Sequence, residues 1–147
     1  MLALVVPSHA DDLKLASLFS DHMVLQREQP VPIWGWAKPR DEITVEFAGR
    51  KASAKADTTG KWLAKLDPMP ASLEGRNLSV QSSDSAQKLN ITDVVVGDVW
   101  LCSGQSNMHF PMKRVQNASA EIATANNSAI RFFYVQPQFS QKTADNV

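Results

Sequence analysis

The stretch EITVEFAG, Glu42 to Gly49, decides how the larger part of this 147-residue chain is read. Ile43, Val45 and Phe47 fall on one phase of a two-residue period, and Glu42, Thr44 and Glu46 on the other. A strand with one buried and one wetted face needs that alternation, because successive side chains point to opposite sides. Seven more short runs surround it: LKLASLF (13–19), MVLQ (23–26), VPIWGWA (31–37), KASAKAD (51–57), KWLAKL (61–66), NLSVQS (77–82) and KLNITDV (88–94). Between them stand turn-forming residues: Lys38-Pro39-Arg40-Asp41, Gly49-Arg50, Thr58-Thr59-Gly60 and Asp67-Pro68. The pattern predicts an antiparallel, β-rich N-terminal domain over 13–93, sandwich or jelly-roll-like in type.

Beyond Asn90 the pattern changes. VVVGDVWLC (94–102) is nearly continuously apolar, as a strand buried on both faces requires. MKRVQNASAEIATAN (112–126) places Met112, Val115, Ala118 or Ser119, and Ile122 at helical spacing, with Asn126-Asn127 as a stop. AIRFFYV (129–135) then reads as a second buried strand. Strand, helix and strand together predict the opening of an α/β domain over 94–147, with a boundary near 91–96.

Composition excludes several function classes. Fifteen basic and fifteen acidic residues cancel, and neither sign is gathered into a block, so a nucleic-acid partner is not expected. Cys102 is the single cysteine, which excludes an intrachain disulfide and a cysteine-based metal cluster; as a small apolar residue it is expected to be buried. Residues 1–12 begin with MLALVVPSHA, which resembles the apolar region and small-residue cleavage site of a secretory signal, although a basic leading segment is missing. A secreted or periplasmic location is therefore the expectation. No other apolar run approaches the roughly 20 residues that span a bilayer, so no membrane association is expected of the mature protein.

The chemistry centres on WLCSGQSNMHFPM, Trp100 to Met112. Ser103 to Asn107 occupies a predicted strand-to-helix turn, where open α/β sheets meet their ligands. Gly104 suits an unusual backbone angle or a close approach of substrate to the chain. Ser106 would stand near a helix N-terminus, where free N–H groups stabilise an anion. An attacking hydroxyl beside such donors is what acyl transfer needs. Spacing alone leaves a second reading open, in which Ser106 or Asn107 only caps the helix. The G-x-S-x-G elbow of α/β-hydrolases is excluded, since Met108 stands where its second glycine should be, and no phosphate-binding G-x-x-x-x-G-K-[ST] occurs.

The run GDVWLCSGQSNM (97–108), followed by Phe110-Pro111, resembles the first sequence block of the SGNH (GDSL-like) hydrolase clan, and more narrowly the sialate O-acetylesterase family. LASLFSDHMVLQREQPVPIWGWA (15–37) and GKWLAKLDPMPA (60–71) resemble the N-terminal β-domain of the same family. The resemblance implies an α/β, flavodoxin-like catalytic domain and a serine esterase acting on O-acetylated sialic acids or related glycans, without metal or other cofactor. It further implies Ser106 as nucleophile, forming an acetyl-serine intermediate, with the Ser106 N–H in the oxyanion hole and Gly104, Gln105 and Asn107 shaping the turn. The clan's glycine and asparagine blocks and its late Asp-x-x-His have no counterpart after Ser106. The expectation is an N-terminal fragment of a longer enzyme, inactive alone, with apolar faces at Val94–Val96 and Phe132–Tyr134 left uncovered. His109 is read as a polar position facing surface or substrate and not as the missing base.

Other residues carry weaker functional readings. Trp34 and Trp36 flank Gly35 in one strand and suit sugar stacking, but burial in the β-core is the expectation. His22 is read as a turn residue. Four N-x-[ST] sequons begin at Asn77, Asn90, Asn117 and Asn126. A non-catalytic carbohydrate-binding or interaction module is the alternative function. The sequence leaves oligomeric state open.

Overall fold

Each of the eight expected runs contains a strand, although LKLASLF yields only Lys14–Leu15 and the strand at NLSVQS already begins at Ser72. The computed structural model describes residues 12–84, 87–135 and 146; the expected leader lies outside them except for its last residue. The strands are β1 (Lys14–Leu15), β2 (Val24–Gln26), β3 (Val31–Trp36), β4 (Glu42–Phe47), β5 (Arg50–Lys55), β6 (Lys61–Leu66), β7 (Ser72–Ser82) and β8 (Lys88–Gly97). β1, β3 and β6 make a three-stranded sheet in that order, and β2, β8, β7, β4 and β5 a five-stranded one. In β4 the burial alternates as the sequence demands: Ile43, Val45 and Phe47 are buried, Glu42 and Glu46 exposed.

Local chemistry sets the turns. β4 and β5 are joined by Ala48 and Gly49, both with positive φ, which is the backbone of a two-residue type I′ hairpin. The Asp57–Gly60 turn is held by the Asp57 carboxylate, which accepts hydrogen bonds from the Thr59 N–H and hydroxyl at 2.7 Å and the Lys61 N–H at 3.1 Å. Gly60 closes it at φ +85°, where a Cβ would lie 2.5 Å from the Ala37 carbonyl oxygen. Asp41, fully buried, accepts the Ser82 hydroxyl at 2.6 Å and the Asp84 N–H at 3.2 Å. Its carboxylate thus ties the Lys38–Asp41 turn to the end of β7.

The two sheets share one core. Ile33, Trp62 and Leu66 from the smaller sheet belong with Ile43, Val45, Leu78, Val80 and Val94 from the larger one to a single buried cluster. Burying each such aliphatic side chain is worth about 1.5–3 kcal/mol. One pairing departs from the antiparallel expectation: β2 runs parallel to β8, with Val24 opposite Val95. Residues so far apart in sequence need no hairpin, which frees the strand direction.

Several expectations for the second part are corrected. The strand expected at 94–102 ends at Gly97, as the last third of β8. Val94, Val95 and Val96 are buried, not uncovered. Val94 and Val96 point into the core, whereas Val95 faces a cavity on the other side with Ala129 and Arg131. From Asp98 to Gln105 the chain has no strand or helix, and Cys102, expected inside, is exposed for that reason. The helix expected over 112–126 is broken into a 3-10 turn at Met112–Arg114 and a seven-residue helix, α1 (Ala118–Thr124). Asn117, at φ 60°, makes the break. Met112, Val115 and Ile122 are exposed, so no packed apolar face supports a longer helix. Residues 129–135 form no strand, and Phe132 is 92% exposed. Trp34 and Trp36, expected in the core, are half-buried and pack against the buried cluster, while Ile33 and Gly35, on the alternate positions of β3, are buried. VPIWGWA carries apolar residues on both phases, so its period does not say which set faces inward.

Candidate functional site

Ser106 opens a four-residue 3-10 turn, Ser106–His109, reached through the irregular segment that follows β8. The turn is closed by the Met108 N–H donating to the Gln105 carbonyl at 2.9 Å. No side chain caps it, so neither Ser106 nor Asn107 plays the capping part. Ser106 and His109 are both exposed, and neither side chain has a hydrogen-bond partner among the described residues. Gly104 has no left-handed φ; its lack of a side chain matters because a Cβ would sit 2.8 Å from Cγ of Met108, which folds over it. Gly104, Gln105, Ser106 and Asn107 are thus brought together by one turn. A single 3-10 turn supplies little of the dipole that a longer helix would bring to an anion.

The strand that leads to this turn is clamped by residues that carry no chemistry-bearing motif. The Arg27 N–H donates to the Gly97 carbonyl at 2.9 Å, and the Arg27 Nε donates to the Asp98 carboxylate at 2.8 Å. The Val99 N–H donates to the Gln26 side-chain oxygen at 2.9 Å. The Asp98 carboxylate, by hydrogen bond and charge, raises the Arg27 guanidinium above its ordinary value. Three consecutive residues entering the serine loop are therefore fixed to the end of β2. Nothing local in VLQR announces this; the partners are more than 70 residues away in sequence.

A second polar group lies at the opposite side of β8. A bulge where β7 and β8 change register puts Asp93 at φ 51°, and Gly75 leaves room for its carboxylate. Asp93 accepts a hydrogen bond from His22 Nδ1 at 2.7 Å and pairs with Arg131 at 3.1 Å. The hydrogen bond from His22 first, then that from Arg131, holds the Asp93 carboxyl below the usual range. Arg131 also donates to the backbone carbonyl of Asp93, which fastens the 128–131 segment to the sheet. His22 is, as expected, a turn residue: φ is 65° and its N–H donates to the Thr92 carbonyl at 3.0 Å. With Ser128 these residues line a cavity of about 400 Å³. A histidine held by an aspartate makes two of the three members of a hydrolytic triad, but the serine of this cavity is Ser128, and Ser106 does not line it. Among the described residues no group of three or more His, Cys, Asp or Glu could hold a metal ion, and no helix is long and apolar enough to cross a membrane.

No protein-family model matches the chain. It is 33% identical to the mouse sialate O-acetylesterase across its whole length, and 36% identical to the human one over 91% of its length. These matches take in 29% and 28% of the relatives, so the chain spans less than a third of the curated relatives it matches. Among solved structures, a carbohydrate acetylesterase from Xanthomonas citri superposes with a TM-score of 0.71 at 42% identity, over 78% of this chain and 26% of that one. By sequence the chain is a homologue of the sialate O-acetylesterases over a portion of their length, and its fold is similar to part of a carbohydrate acetylesterase.

Proposed function

We propose that this chain is the nucleophile-bearing part of a serine carbohydrate esterase, with Ser106 as the attacking residue. The observation that carries the reading is the Ser106 hydroxyl itself, exposed and without a partner among the described residues, in a loop whose entry is clamped at Gly97, Asp98 and Val99. Ser106 Oγ attacks the acetyl carbonyl carbon, and the ester C–O bond to the sugar breaks. The sugar leaves as its alcohol, taking a proton, and water then hydrolyses the acetyl-serine to acetate and free enzyme. The Ser106 N–H contributes to the oxyanion hole, and Gly104, Gln105 and Asn107 shape the loop. The substrates in this reading are O-acetylated sialic acids or related glycans.

The base and the other oxyanion donors lie outside these residues. We assign the exposed apolar side chains of the second part, Trp100, Leu101, Phe132 and Tyr134 foremost, to the face on which the rest of an SGNH-like α/β domain packs. The two-sheet module, sandwich-like, precedes that domain, and the protein is secreted or periplasmic. The 147 residues alone are then without esterase activity. In the whole enzyme, Ser106→Ala lowers kcat on an acetyl ester about a thousandfold or more while the protein remains folded. A variant that keeps its parent's rate removes Ser106 from the mechanism; turnover by the 147-residue chain alone removes the fragment reading.

A further inference from the structure

We propose that Arg27, together with Gln26, is a positioning residue for the serine loop, so that the two-sheet module takes part in the ester chemistry by fixing the direction in which the chain leaves β8. The proposal rests on the reading of Ser106 as nucleophile. β8 is held by β7 as far as Val96 and by β2 as far as Gly97. Beyond that point the chain from Asp98 to Gln105 is exposed and has neither strand nor helix, so packing does not set its course. Among the described residues, its course is set from the end of β2. Arg27 holds two successive residues, the Gly97 carbonyl through its N–H at 2.9 Å and the Asp98 carboxylate through Nε at 2.8 Å. Gln26 takes the next one, accepting the Val99 N–H at 2.9 Å. Gln26 also donates its side-chain amide to the Arg27 carbonyl at 3.1 Å, so both ends of that amide are occupied and its orientation is fixed.

Bonds to three consecutive residues fix a direction, where one bond would leave a swivel. The fold itself has little need of them. The Arg27 and Asp98 side chains are 38% and 55% exposed, and ion pairs of that kind add little to stability. Their effect falls on geometry instead. A displacement of about 1 Å in a reacting group costs about a hundredfold in rate, and Ser106 stands seven residues beyond the last amide held, that of Val99. Lys51 and Glu46 make another exposed ion pair, at 3.0 Å, between β5 and β4 at the opposite edge of the same sheet. That pair has no part in the exit from β8 and serves as the comparison.

The whole enzyme tests this with two readouts: kcat/KM on an aryl acetate, and the rate at which a fluorophosphonate labels Ser106, located by mass spectrometry of the labelled peptide. Arg27→Ala and Asp98→Ala are each expected to lower both rates about tenfold or more, while the unfolding temperature stays within about 2 °C of the parent's. Asp98→Asn keeps an acceptor oxygen for Nε and recovers most of the rate. Arg27→Ala combined with Asp98→Ala is no slower than the slower single variant, because both remove the same bond. Lys51→Ala leaves both rates unchanged. Parent-like rates in Arg27→Ala and Asp98→Ala, additive losses in the double variant, or losses that only track a fall in unfolding temperature overturn the proposal. If Ser106 is still labelled and Ser106→Ala still slow in that event, the nucleophile reading stands without it. If instead Ser106→Ala keeps the parent's rate and the reagent labels another residue, both readings fall together. Where Arg27→Ala fails to fold, Asp98→Ala and Asp98→Asn decide the matter.

Discussion

At Gly60 the backbone lies at φ +85°, and a side-chain carbon would press on the Ala37 carbonyl. Gly60→Ala is therefore expected to destabilise the fold by about 1–3 kcal/mol, measured by urea unfolding. Asp41 offers a comparable test from the polar side. Asp41→Ala removes the acceptor for Ser82 and for the Asp84 N–H in a buried place, and about 1–3 kcal/mol should be lost. Both positions were legible as turn residues, since glycine and aspartate carry local turn chemistry. The partners of Asp41, some 40 residues downstream, were not. The same divide holds at the candidate site. GQSN was visible as a short motif, whereas Gln26, Arg27, Asp93 and Arg131 do their work through contacts that no local pattern reveals.

Among the elements, strands such as β4 and β6 were readable because each has its own two-residue period and flanking turns. The broken helix was not, because Met112, Val115 and Ile122 have helical spacing but nothing to pack against. Apolar periodicity states which face an element would bury, not whether a partner is there to cover it. VPIWGWA is a strand correctly placed whose tryptophans, expected in the core, pack against it only half-buried. The clamp between β2 and the serine loop belongs to this scale also. In Gln26→Ala the Val99 amide loses its acceptor, and its hydrogen exchange should speed up about tenfold while Val80 in the core is unchanged. Equal exchange at Val99 in variant and parent would remove Gln26 from the clamp.

Taken over the whole molecule, the ionised carboxylates give stability a direction in pH. Asp93 is held low chiefly by the hydrogen bond from His22, Asp21 by the Thr92 N–H, Asp57 by Thr59 and Glu74 by Arg76. Each folded-state value lies below its unfolded one. Their contribution is thus complete above the ordinary carboxylate range of about 3.9–4.3 and is lost as pH falls through the folded values. Unfolding temperature should fall steadily from about pH 5 downward, and Asp93→Asn should flatten part of that fall. The place of β8 has a consequence of another kind. It lies between β2 and β7, so the seat of β2 does not exist until residues 95–97 have been synthesised. An emerging polypeptide that stops short of them holds Val24 and Leu25 without a neighbour, and the five-stranded sheet closes late, over a separation of about 70 residues. Ribosome-bound chains of increasing length should pass from protease-sensitive to protected in one step as β8 clears the ribosome, which makes the strand before the serine loop the event that completes the fold.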